Sequence, residues 1–279
     1  MMMIIPPRFV FRSKYAYKCG HSLVSLHGDV NLWRPFVQLW RSRSTSTSTA
    51  GETPPAFSFR SKARTLEALQ GRLAHFQLCP QWIVTASDWR NDSLRENMIQ
   101  TVLQANNKSR RLMVRSSAHN EDTEGSSLAG AYLSLSDVAP AELRTAIDRV
   151  LGSYQRHQDD NNDDYQEVLI QPMVDNVVAS GVVLTRELDS GSPYYVINYD
   201  AVTSRTDAVT GGRGDSESLL IRRAAAAPVS ADSSSNLPSW VPLLLDSTIE
   251  LEQVTATQEL DLEFCVDNEQ SVFLLQVRP

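Results

Sequence analysis

The sequence predicts a mixed α+β fold, and three observations carry that prediction. Short apolar runs of strand character recur at Leu112–Val114, Val168–Val174, Ala179–Thr185 and Tyr194–Tyr199. Between them lie segments whose apolar residues fall at helical spacing, such as Ala63, Leu66, Leu69 and Leu73. The chain then closes on two apolar runs around a turn at Asp267–Gln270, the pattern of a hairpin. At 279 residues it can bury a sizeable core and suits one large or two small domains.

Composition bounds the function class. Hydrophobic residues make up 42% and charged residues 21%, as in an ordinary soluble globular protein. The net charge of −7 is uneven: residues 1–50 are basic and nearly free of acid, so the main body is strongly acidic. An acidic body argues against general nucleic-acid binding, and an anionic ligand would have to be met by local arginines and a metal. Cys19, Cys79 and Cys265 are isolated, which suggests neither a zinc site nor a disulfide framework and fits a reducing compartment. No stretch approaches the roughly 18–20 apolar residues that a membrane-spanning helix needs.

Residues 1–50 end in RSRSTSTSTA and read equally as a mitochondrial or plastid transit peptide and as a disordered extension or the product of a start codon chosen too far upstream. That leaves cytoplasm or an organellar matrix as the expected location. Residues 51–279 are expected to form the folded domain, opening with a Pro-containing linker over Gly51–Ser61. Ser61 is placed to cap a helix that begins at Lys62. A strand is expected at Pro80–Val84, then one helix from Ser87 to about Ala105. After the strand Leu112–Val114, Arg115 is expected to open a polar loop in which Gly125-Ser126-Ser127 and Ala129-Gly130-Ala131 let backbone N–H groups approach a ligand. Taken on composition alone, that loop reads as a solvated turn with a salt bridge from Arg115 to Glu121 or Asp122. A strand over Ala131–Leu135 and an amphipathic helix over Ala141–Tyr154 follow. The acidic run Gln158–Asp164 reads as a solvated loop, not a metal site. Gly181 permits close backbone approach, and Trp240–Val254 returns to helical spacing.

Three ordered blocks carry a family resemblance: VRSSAHNEDTEGSSLAGAYLS (114–134), QPMVDNVVASGVVLTREL (171–188) and DLEFCVDNEQSVFLLQVRP (261–279). The chain resembles the nucleotide-binding domain of the phosphoenolpyruvate synthase and pyruvate phosphate dikinase family. Its INYDAVTSRTDAVTGG segment (197–212) looks closer to the glutamine-kinase-like branch than to the synthases. The resemblance implies an ATP-grasp fold, with two lobes clasping ATP, and Mg²⁺ as the metal. It implies that Lys62, Arg115 and Arg186 reach phosphate, and that Ser127 and Gly130 lie in the phosphate-facing loop. Gln171, Met173 and Val174 match the adenine hinge, and Arg205 is a further phosphate candidate. Glu263 and Gln276 match the Mg²⁺ ligands, with Arg278 directed at the same phosphate.

The chemistry suits these residue types. Mg²⁺ takes hard oxygen ligands and usually only one or two from protein. Alternation can bring Glu263 and Gln276 to one face of a hairpin, and Arg278 shares the parity of Gln276. By themselves these could be polar residues facing water. Family enzymes continue into a domain whose histidine accepts the phosphoryl group, and then into a substrate domain; with the sequence reaching QVRP, the usual end of the nucleotide-binding domain, neither is expected within it. None of His21, His27, His75, His119 and His157 has the acceptor's setting. The expectation is therefore a kinase module that binds Mg-ATP and starts phosphoryl transfer toward a histidine carried elsewhere, with a small molecule as final acceptor. The alternatives are a non-catalytic nucleotide-binding module and a truncated fragment of a larger dikinase.

Overall fold

A computed structural model describes residues 57–106, 110–118, 133–154, 166–201, 217–223 and 237–279. Its elements run α1 (Lys62–Leu69), β1 (Gln77–Leu78), β2 (Trp82–Thr85), α2 (Ala86–Arg90), α3 (Asp92–Ala105), β3 (Leu112–Ala118) and β4 (Ser134–Val138). A 3-10 turn at Pro140–Glu142 then leads into α4 (Leu143–Tyr154) and β5 (Gln166–Pro172). The chain finishes with β6 (Val177–Leu184), β7 (Tyr194–Asp200), β8 (Glu217–Arg222), α5 (Val241–Thr255), β9 (Asp261–Asp267) and β10 (Val272–Arg278). The strands form two sheets, a four-stranded one ordered β2-β5-β3-β4 and a six-stranded one ordered β1-β10-β9-β6-β7-β8. The mixed α+β class expected from sequence is the class observed.

Local chemistry explains where the elements begin and end. The Ser61 hydroxyl accepts the Arg64 N–H at 3.4 Å, and Gly71 takes φ +72° just past the end of α1. The helix expected over Ser87–Ala105 is two helices, because Asn91 adopts an extended conformation between them. Its side chain accepts the N–H groups of Ser93 and Leu94 at 3.1 and 3.2 Å, so it caps α3 instead of continuing α2. Strand β3 is longer than expected and runs on through Arg115, Ser116 and Ser117 to Ala118. Its polar residues pair with β5 in unbroken register, Arg115 opposite Leu169 and Ser117 opposite Glu167. The strand expected at Ala131–Leu135 lies at Ser134–Val138, and β1 and β8 have no counterpart in the sequence expectations.

Each sheet has its own core. Val114, Val168 and Ile170 pack on Ile99, Val102, Ile147 and Val150 of the helices beside the smaller sheet. In the larger sheet, Val183, Ile197, Leu262, Phe264 and Leu274 pack against Leu244, Leu245 and Leu251 of α5. Leu66 and Leu69 of α1 join this second core, as does Leu169 of β5, so α1 is wedged between the sheets. The crossover Met173–Asn176 carries the chain from β5 to β6 and so from one sheet to the other.

The close approach allowed by Gly181 is to the neighbouring strand. A Cβ there would lie 2.1 Å from the Asn198 carbonyl oxygen and 2.8 Å from the Tyr199 Cα, both backbone atoms. Gly181→Ala must therefore push β6 off β7 and is expected to destabilise the fold by at least about 1–3 kcal/mol. Thermal unfolding should show a clearly lowered Tm.

Candidate functional site

The six-stranded sheet has one apolar face and one polar face, and the polar face holds the candidate site. Alternation along β9 sends Leu262, Phe264 and Val266 into the core and leaves Asp261, Glu263 and Cys265 on the other side. Glu263 is the register partner of Gln276 on β10 and of Val182 on β6, and Val182 in turn pairs with Asn198 on β7. Asn198 pairs with Ser218 of β8, whose hydroxyl donates to the Asn198 side-chain oxygen at 2.6 Å. One row across the sheet thus reads Gln276, Glu263, Val182, Asn198, Ser218. The next row holds Arg278 and Asp261.

A β-bulge produces this alignment. Leu274 lies opposite Phe264 in the core, and strict alternation would send Gln276 to the core as well. The register instead shifts between Leu274 and Gln276, which leaves Leu275 as the extra residue. Gln276 and Arg278 therefore emerge on the polar face, opposite Glu263 and Asp261. Arg278 is bound there to Asp261 Oδ2, with Nη2 at 2.6 Å and Nε at 3.0 Å. Burial pushes the Asp261 carboxyl above its ordinary range, and Arg278 partly opposes that shift.

The smaller sheet supplies the other wall. Along β3, Val114 points to the helices while Met113, Arg115 and Ser117 share the opposite face. Arg115 is only 8% exposed, and its Nη1 lies 3.6 Å from Glu263 Oε2 across the gap between the sheets. That distance is an ion pair without a hydrogen bond. The buried Nε has no hydrogen-bond partner among the described residues. A buried, under-satisfied guanidinium is costly, and an anion with several oxygens would relieve the cost.

The remaining predicted residues are distributed around this gap. Lys62 opens α1, half-buried, and the next residue, Ala63, donates its N–H to Ser117 Oγ at 2.9 Å, on the strand of Arg115. Gln171 is buried opposite Met113, on the same face as Arg115. Met173 and Val174 sit in the crossover between the sheets, with the Met173 N–H on the Arg111 carbonyl at 2.9 Å. Arg186 follows β6 and is held locally, Nη1 to the Gly191 carbonyl at 3.0 Å and Nε 3.4 Å from Glu259. Ser127, Gly130, His119, Arg205, the acidic run 158–164 and residues 1–50 lie outside the described residues. Among the described residues no group of three or more His, Cys, Asp or Glu is gathered as a metal cage. No described helix is long and apolar enough to cross a membrane.

Sequence reasoning passed over Asp261, Asn198 and Ser218. Alternation with Glu263 was signal enough for Asp261. Asn198 and Ser218 needed the pairing of β6, β7 and β8, which no local pattern supplies.

Two sheets face each other across arginine, carboxylate and amide groups. The family described as pyruvate phosphate dikinase, AMP/ATP-binding domain, matches residues 87–227, half of the chain. The chain belongs to that family and is an ATP-binding domain of ATP-grasp type. No curated protein matches it. Among solved structures it is similar to the D-alanine-D-alanine ligase of Coxiella burnetii, at 14% identity and TM-score 0.41, covering 77% of this chain and 45% of that one. It is similar to D-alanyl-alanine synthetase A of Vibrio cholerae at 12% identity and TM-score 0.44, covering 78% and 54%. A third similarity is to the ADP complex of N5-carboxyaminoimidazole ribonucleotide synthetase, at 9% identity and TM-score 0.42, covering 79% and 45%. The chain spans about half the length of these proteins.

Burial also fixes the state of the thiols at the site's edge. Burial raises the Cys79 thiol to about 11 even though Arg115 and Arg110 pull it down, and burial raises Cys265 as well. Both are therefore protonated and shielded at neutral pH. Mass spectrometry after treatment with iodoacetamide at pH 7 should find both unmodified in the folded chain and both alkylated after denaturation.

Proposed function

We propose that this domain, formed by residues 51–279, binds Mg-ATP between its two sheets and starts phosphoryl transfer toward a histidine carried elsewhere, as in dikinase-type enzymes. The observation that carries this reading is the meeting of Arg115 with Glu263 across the gap, beside Gln276 on the paired strand. Phosphoryl transfer asks a protein mainly for positioning and charge neutralisation. Arg115 and Lys62 would approach the phosphates from the side of the smaller sheet and Arg278 from the larger. Arg186 would join them only after leaving Glu259. The adenine would lie toward the crossover, against Gln171, Met173 and Val174, where backbone groups can read a purine edge. Ser127 and Gly130 would line the phosphates from the small-residue loop, as the resemblance implies.

Glu263 and Gln276 offer a carboxylate and an amide oxygen from adjacent strands, the hard donors that suit Mg²⁺. Bound there, Mg²⁺ would neutralise phosphate charge and free Arg115 from Glu263. The phosphoryl group would then pass to a histidine on another domain or polypeptide and on to a small-molecule acceptor.

Calorimetry on the full chain tests the proposal. ATP binding should need Mg²⁺ and should weaken about ten- to hundredfold in Arg115→Ala, the loss of a charge-assisted contact. Glu263→Ala should abolish the Mg²⁺ dependence. A folded parent chain that binds no ATP overturns the assignment.

A further inference from the structure

The start of α1 is fastened more firmly than a helix held by apolar burial alone. Ala63, Leu66 and Leu69 bury its underside, but such contacts are non-directional and leave a helix some freedom to roll and slide. At its start, directional bonds to other elements remove that freedom. The Ala63 N–H donates to Ser117 Oγ of β3 at 2.9 Å, and the Ala63 carbonyl accepts from Gln81 Nε2 at 3.0 Å. Ser61 Oγ donates to Glu167 Oε2 of β5 at 2.6 Å, and Arg64 Nε to Glu167 Oε1 at 2.7 Å. Ser117 and Glu167 are themselves register partners, bridged by Tyr154, whose hydroxyl accepts the Ser117 N–H at 2.9 Å and donates to the Glu167 carbonyl at 2.6 Å. Ser61, Ser117 and Glu167 are all buried. Lys62 sits inside this set of bonds, and Arg115 lies two residues before Ser117 on the same face of β3.

We infer that Ser117 and Glu167 are positioning residues that lock Lys62 to the strand of Arg115, so that the two cations meet a triphosphate as one rigid unit. The inference rests on the Mg-ATP reading above and names how the smaller sheet selects for the polyphosphate. Buried directional pairs of this kind fix orientation more than they add stability. Losing the lock should therefore cost ligands that reach both cations and spare those that do not.

The test measures Mg-dependent ATP binding and AMP binding on the full chain, by calorimetry. Ser117→Ala is expected to weaken ATP about tenfold and to leave AMP within about twofold, the size of one misplaced charge-assisted contact. Ser117→Thr, which keeps the hydroxyl, should restore ATP binding. In a Lys62→Ala background, Ser117→Ala should add little further loss, because its effect runs through Lys62. Glu167→Gln should reproduce the ATP-selective loss, and it carries the test if Ser117→Ala does not fold. Equal losses for ATP and AMP, full additivity with Lys62→Ala, or no change in Ser117→Ala and Glu167→Gln would each overturn the inference. A parent chain that binds no ATP, or a Lys62→Ala chain that binds ATP like the parent, would instead overturn the underlying reading.

Discussion

The register between β9 and β10 decides what this molecule can hold. A strand that alternates without interruption puts every second residue in the core, so one extra residue exchanges its faces. Here Leu275 is that extra residue, and the bulge that absorbs it keeps Leu274 and Val277 inside while Gln276 and Arg278 come out beside Glu263 and Asp261. The same strand thus serves the core and the site. Without the bulge, a neutral amide and a guanidinium would face α5, and the polar face would lose both its second oxygen donor and its terminal cation.

The two sheets divide the electrostatic work. The larger one offers oxygen donors, Glu263 and Gln276, along a row that continues through Asn198 and Ser218. The smaller one offers Arg115, buried, its Nε without a hydrogen-bond partner among the described residues. In an acidic chain this local arrangement matters more than the overall field, which would repel an anionic nucleotide. Helix α1 belongs to both halves: its apolar side joins the core of the larger sheet and its first turn is bonded to the smaller one. Closure of the gap is therefore constrained from the side of α1 and from the crossover at Met173–Asn176.

Much of the site was legible because its signals are local. Ser61 before an apolar helical pattern marks a cap, and the paired runs around Asp267–Gln270 mark a hairpin; both are found as expected. Alternation also gave the shared parity of Gln276 and Arg278, though not the bulge that places them. The errors have tertiary causes. Ser116 and Ser117 look like the start of a loop, yet Ser117 sits in a strand because Ala63 and Tyr154 use its hydroxyl and N–H. Asn91 divides a continuous helical pattern because its side chain bonds the next turn. Strand β8 pairs with β7 alone among the described residues, and its short run carried no signal strong enough to set it apart. The bond that holds Arg278, to Asp261, could likewise be seen only once the two strands were paired.

The central claim is that a nucleotide bridges the two sheets, with its metal on one and its phosphates against Arg115 on the other. A crystal structure of the full chain with Mg²⁺ and a non-hydrolysable ATP analogue tests it most directly. The account predicts the metal at roughly 2.1 Å from oxygens of Glu263 and Gln276, with the Arg115 guanidinium turned from Glu263 onto phosphate. A nucleotide bound outside the gap, or a metal that touches neither residue, would contradict it.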